Sequence, residues 1–116
     1  MLNDLRFLAL ECRAAARTDL FEACALLSGN PAVARSAHAA AFLRCLPEAI
    51  GRAPRLLRPG VSEVTFDEAW ILRLLTSAAA GDGNSLGFLV RSRVEVWARR
   101  NFAFLVQSTA DQFYRN

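Results

Sequence analysis

Residues 65–80 read TFDEAWILRLLTSAAA, and this stretch decides the fold class. Thr65-Phe66-Asp67-Glu68 is a capping box: the threonine hydroxyl can accept the Glu68 amide hydrogen while the glutamate reaches back to the Thr65 amide. Beyond it Trp70, Ile71, Leu74, Leu75 and Ala78 recur at helical spacing on one side. The pattern predicts a helix over about 66–80 with one face for a core. The adjacent carboxylates Asp67 and Glu68 need no catalytic reading, because negative charge at a helix N-terminus is stabilised by roughly 0.3–1 kcal/mol.

Towards the C-terminus, Gly81-Asp82-Gly83-Asn84 predicts a turn, with Asn84 or Ser85 capping a last helix over about 85–112. Leu86, Val90, Val94, Trp97, Phe104 and Leu105 form one apolar stripe on it. A second stripe, Phe88, Phe102, Val106 and Phe113, lies nearly opposite, its members within about 40° of one another. A helix apolar on two opposed faces either runs between layers of its own domain or offers one face to another molecule.

Towards the N-terminus, residues 47–62 hold Pro47, Pro54 and Pro59 with Gly51 and Gly60, too dense a punctuation for a long helix. They read as an irregular Pro/Arg-rich connection, in which Pro47 could open a single turn through Ile50. Asn30-Pro31 starts an alanine-rich helix over about 31–46, an N-cap followed by proline at the first helical position. Residues 3–28 predict another helix on the seam Leu5, Ala9, Cys12, Ala16, Asp19, Ala23 and Leu26, with Arg6, Arg13 and Arg17 opposite and Gly29 at its end. The expected architecture is therefore a single all-α domain spanning 1–116, a bundle of four principal helices at about 3–28, 31–46, 66–80 and 85–112.

Composition fits one domain: 116 residues, 53% of them hydrophobic. No apolar run reaches the ~20 residues of a membrane span. Asp4, Arg6 and Glu11 interrupt the stretch a signal peptide would need, so the expected setting is the cytoplasm. All 14 basic side chains are arginine and 21 residues are alanine, biases of a GC-rich bacterial genome. Net charge +3 and pI near 9.2 are therefore weak pointers to nucleic acid. Cys12, Cys24 and Cys45 are an odd number, expected as reduced thiols.

Motifs for chemistry are scarce. Cys12, Cys24, His38 and Cys45 lack zinc-ligand spacing. Asp82-Gly83-Asn84-Ser85-Leu86-Gly87 resembles the start of a calcium loop, but Arg93 stands where a bidentate glutamate is required. Gly81, Gly83 and Gly87 have the wrong spacing for a phosphate cradle. His38 is the single histidine, and nothing local directs a nucleophile towards it. No metal or other cofactor and no catalytic residue is expected; an enzyme or a small-ligand-binding bundle is the least favoured reading.

Two functional expectations remain. The first is a non-catalytic interaction or regulatory module without a membrane role, self-associating as a homo-oligomer or meeting a protein partner through Phe88, Phe102, Val106 and Phe113 of the C-terminal helix. The competing structural reading covers that stripe with the shorter helices and makes it core. The second is a nucleic-acid-binding regulator using Arg44, Arg52, Arg55 and Arg58 with Arg91, Arg93, Arg99 and Arg100.

Overall fold

The computed structural model describes the backbone of residues 2–13 and 35–114, and within these ranges leaves aside the side chains of residues 8, 10–13, 35–39 and 112–114. The described residues form α1 (Leu2–Arg13), α2 (Arg35–Ile50), α3 (Phe66–Ala79), α4 (Gly83–Arg93), a 3₁₀ turn (Val96–Ala98) and α5 (Arg99–Tyr114), with no strand among them. The all-α bundle is therefore observed. Helix α5 packs on α2 and α3, α1 on α2, and α4 on α3.

Helix α3 forms where the capping box places it. The Thr65 hydroxyl accepts the Glu68 amide at 3.1 Å, and the Thr65 amide donates to Glu68 Oε1 at 3.0 Å. Its far end closes in a Schellman motif: the Gly81 amide bonds the Ala78 carbonyl and the Asp82 amide the Ser77 carbonyl. Gly81 sits at φ +72°, where a side chain would be strained. The next helix is capped by Asp82, whose carboxylate accepts the Ser85 amide, and so begins earlier than a cap at Asn84 or Ser85 would allow.

The end of the second helix differs from the sequence expectation. Helix α2 does not stop near Leu46: it passes through Pro47 and ends at Ile50. An internal proline weakens a helix by about 3 kcal/mol. Full burial of Leu46 and Ala49 offsets this, and the Ala49 carbonyl accepts the Glu95 amide at 2.8 Å. Gly51, at φ +77°, ends the helix. Residues 51–65 contain no helical pieces among them. Of the expected helix over 3–28, residues 14–28 with Asp19 lie outside the described residues, as do 31–34 of the second helix.

The larger correction concerns 85–112, which is not one helix. Val94 (φ −89°, ψ 134°) and Glu95 (φ −55°, ψ 143°) are extended and break it into α4 and α5. Val90, Val94, Ala98, Phe102, Val106 and Ala110 are all buried. They recur every four residues, and each such step turns ~400° in an α-helix, a drift of ~40°. One straight rod would carry Val90 and Ala110 ~200° apart and could bury both only with protein on two opposite sides. The break resets the phase.

As a result Phe102 and Val106 are fully buried, while Phe88 on α4 is 65% exposed; the four-residue stripe is not one face. Phe113 falls in α5, its side chain outside the described residues. The other stripe divides too: Val90, Val94 and Leu105 are core, whereas Trp97 and Phe104 are exposed. At the centre of the bundle Phe102 lies 5.9 Å from Trp70 in a stacked pair and 5.5 Å from Phe42. No helix among the described residues is long and apolar enough to cross a membrane.

Candidate functional site

The polar centre of the molecule is the first turn of α3. Glu68 is fully buried and accepts Arg6 Nε on Oε2 at 2.7 Å and Arg6 Nη2 on Oε1 at 3.0 Å. The Leu57 and Thr65 amides complete its shell. Arg6 in turn donates to the Val61 and Glu63 carbonyls. One guanidinium thus joins α1, the 51–65 connection and α3, whereas helical phase alone places Arg6 on a solvent face opposite Leu5. Its burial arises because the 51–65 connection and the first turn of α3 lie against that flank of α1. Buried charges require this degree of pairing. Burial pushes the Glu68 carboxyl up, but the Arg6 hydrogen bonds with the two amides outweigh it and hold it below its ordinary value.

Asp67, beside it, reaches outward. It accepts Arg52 Nη2 and Arg93 Nη2 on Oδ1 at 2.7 and 2.6 Å, and on Oδ2 Arg52 Nη1 and the Arg55 amide. The Arg52 guanidinium, opposed by burial and assisted by the Arg55 amide and Arg93, holds its carboxyl far below the usual carboxylate range. Both carboxylates are therefore ionised and saturated with donors near neutral pH. Their work is to fix the 51–65 connection, which carries no helix of its own, onto the bundle.

Arg93 extends this network to a surface. Held at Asp67, its guanidinium lies 4.7 Å from the Trp70 ring centroid and 5.3 Å from that of Phe66, within cation–π range. The Trp70 indole N–H donates to the Leu89 carbonyl at 3.1 Å and ties α3 to α4. Between the two helices opens a concavity of about 550 Å³, lined chiefly by Phe66, Ala69 and Trp70 of α3 and Phe88 and Leu89 of α4. Phe66 is 76% exposed, Phe88 65%, and Trp70 is buried. Arg73 and Arg93 supply the charge on this groove.

The eight arginines read from the sequence do not form one surface. Arg52 and Arg93 converge on Asp67. Arg99 donates to the Val94 and Arg91 carbonyls and so satisfies the end of α4. Arg44 is half-buried; Arg55 and Arg58 are exposed on the connection. Arg91, Arg99 and Arg100 line a separate shallow concavity with Gly83 and Gly87.

Of the interface candidates whose side chains are described, only Phe88 lies on the groove. Phe66 and Arg73 escaped the sequence reading, although a signal existed: Phe66, Trp70 and Arg73 stand at i, i+4 and i+7, and an aromatic in the first turn beside a capping box has no capping role. Cys45 is buried and in no disulfide, while the side chains of Cys12, Cys24 and His38 lie outside the described residues. Among the described residues no three histidine, cysteine or carboxylate side chains come together. Compared with protein-family models, with curated proteins and with solved structures, the chain matches none.

Proposed function

We propose that the chain is a non-catalytic protein-interaction module whose docking surface is the groove between α3 and α4. One observation carries this reading: two phenylalanines, one from each helix, stand 76% and 65% exposed on the lining of a single concavity. Solitary apolar side chains on a surface are ordinary, but aromatics gathered around a recess are the composition of binding hot spots. The groove is also braced before any partner arrives. Trp70 is tied to Leu89 and Arg93 to Asp67, so these two side chains have little freedom left to lose on binding. The expected contact through the C-terminal helix moves accordingly to α3 and α4, since Phe102 and Val106 are in the core.

A displayed library of helical peptides, each of about 16 residues, tests the reading when selected on the wild type and counter-selected on a Phe66→Ser/Phe88→Ser variant. Recovered binders should lose roughly ten-fold or more in affinity for the variant. The variant's circular dichroism and urea midpoint should remain those of the wild type. Recovery of no groove-dependent binder would overturn the proposal.

The nucleic-acid reading keeps one supporting observation: Arg91, Arg99 and Arg100 line one concavity with no carboxylate among its described lining. Three phosphate contacts would give a log–log salt slope near −2.7 on duplex DNA, and a flat dependence would dismiss it.

A further inference from the structure

From the charges on the groove we infer that its occupant is an amphipathic helix of a second protein, with carboxylates flanking its apolar anchors. This rests on the interaction reading above and names the chemistry of the partner. Phe66, Trp70 and Arg73 follow one another along α3 at i, i+4 and i+7, so the recess runs for about two turns, ~10 Å. A recess of that length between two helices suits a third helix presenting anchors at the same spacing.

The charge is one-sided. Arg73 and Arg93 line the groove, and among the described residues no acidic one does. The carboxylate beneath, Asp67, is 5% exposed and already shared between Arg52 and Arg93. One negative charge therefore serves two guanidiniums. Arg93 Nη1 is buried without a hydrogen-bond acceptor. Arg73 is exposed and makes no ion pair among the described residues. A ligand with apolar anchors alone would cover Arg73 without a counter-charge and leave the positive excess around Arg93 uncompensated, whereas one with flanking Asp or Glu would supply the missing negative charge.

The same asymmetry argues against a second copy of this chain. A two-fold contact sets a patch against itself, so Arg73 and Arg93 would meet their own equivalents on a face without acids. A membrane surface is the wrong shape, being flat where the site is recessed between helices.

Sequencing the groove-dependent peptides tests the inference. Asp or Glu should be enriched beside the apolar anchors. Changing those acids to Gln should weaken binding roughly 5- to 10-fold, and raising NaCl from about 0.05 to 0.5 M should weaken it roughly 3- to 10-fold. Selection on an Arg73→Glu variant, whose substitution lies on the exposed side of α3, should return basic flanks instead. Groove-dependent peptides with neutral flanks, indifferent to Arg73→Glu, would overturn the inference and leave the interaction reading standing. Recovery of no groove-dependent peptide would remove both. A salt-resistant wild-type dimer in light scattering, made monomeric by Phe88→Ser, would make the occupant a second copy. Vesicles rich in phosphatidylserine that bind the wild type but not Phe88→Ser would make it a membrane; either result overturns the partner named here.

Discussion

Replacing Phe88 and Phe102 separately by alanine distinguishes a broken last helix from a continuous one. On a continuous rod the two rings share a face and the two substitutions should behave alike. In the structure Phe102 is fully buried, stacked on Trp70 and tilted against Phe42, while Phe88 is 65% exposed. Phe102→Ala removes a ring from the junction of α2, α3 and α5. The lost transfer free energy of a buried Phe is about 3 kcal/mol at most, and the cavity left behind brings the expected destabilisation to about 4 kcal/mol. With a urea m-value of ~1.5 kcal/mol/M, the midpoint should fall by roughly 2–3 M. Phe88→Ala should move it by less than about 0.3 M, the range of an ordinary surface change. Chemical denaturation followed by circular dichroism at one temperature measures both. A Phe88→Ala midpoint shifted as far as that of Phe102→Ala would refute the break at Val94–Glu95, because it would place both rings in one environment.

Arg6→Met should lower the urea midpoint far more than Arg58→Met, since it strands the Glu68 carboxylate in the interior; adding Glu68→Gln should recover part of the loss. Equal midpoints for the two arginine variants would return Arg6 to the surface. Asp67 and Glu68 both titrate below their ordinary values of 3.8 and 4.5, so in mild acid the unfolded chain binds more protons than the folded one. Their contribution to stability is complete above about pH 5 and is lost progressively as pH falls towards the depressed folded values. Asp67→Asn should flatten that acid slope in a pH series of urea midpoints, and an unchanged slope would contradict the pairing with Arg52 and Arg93. Gly51→Ala should destabilise the fold by about 1–2 kcal/mol, because φ is +77° and the new Cβ would stand 3.2 Å from Glu95 Oε1; thermal or urea melts suffice to check it.

The groove and the charged network depend on each other. Asp67 holds Arg93, Arg93 lies against Trp70 and Phe66, and Trp70 bonds the backbone of α4. The first turn of α3 thus orients the aromatic surface as well as starting a helix. Changes at Asp67 are expected to reach the groove through Arg93, while changes at Arg73 act on its charge alone.

What the sequence determined by itself was local. The capping box at Thr65–Glu68, the apolar phase of Trp70 to Ala78 and the turn at Gly81–Asn84 each depend on residues within a few positions of one another. They establish an all-α chain and the core face of α3; the structure keeps the capping box and that face, and shortens the turn, since Gly83 and Asn84 already belong to α4. Even the break in the last helix left a trace, the four-residue spacing from Val90 to Ala110 that a straight helix keeps on no single face. Where the tertiary structure decided, the contacts span long separations: Arg6 to Glu68 across 62 residues, Arg93 to Asp67 across 26, and the Glu95 amide to the Ala49 carbonyl. These contacts bury an arginine that helical phase leaves in solvent, carry α2 through Pro47, and separate Phe88 from Phe102. Periodicity records which residues share a face of one helix, whereas burial depends on what the rest of the chain lays against that face. That is why the groove, made of Phe66 from one helix and Phe88 from the next, became visible only when the two helices were seen side by side.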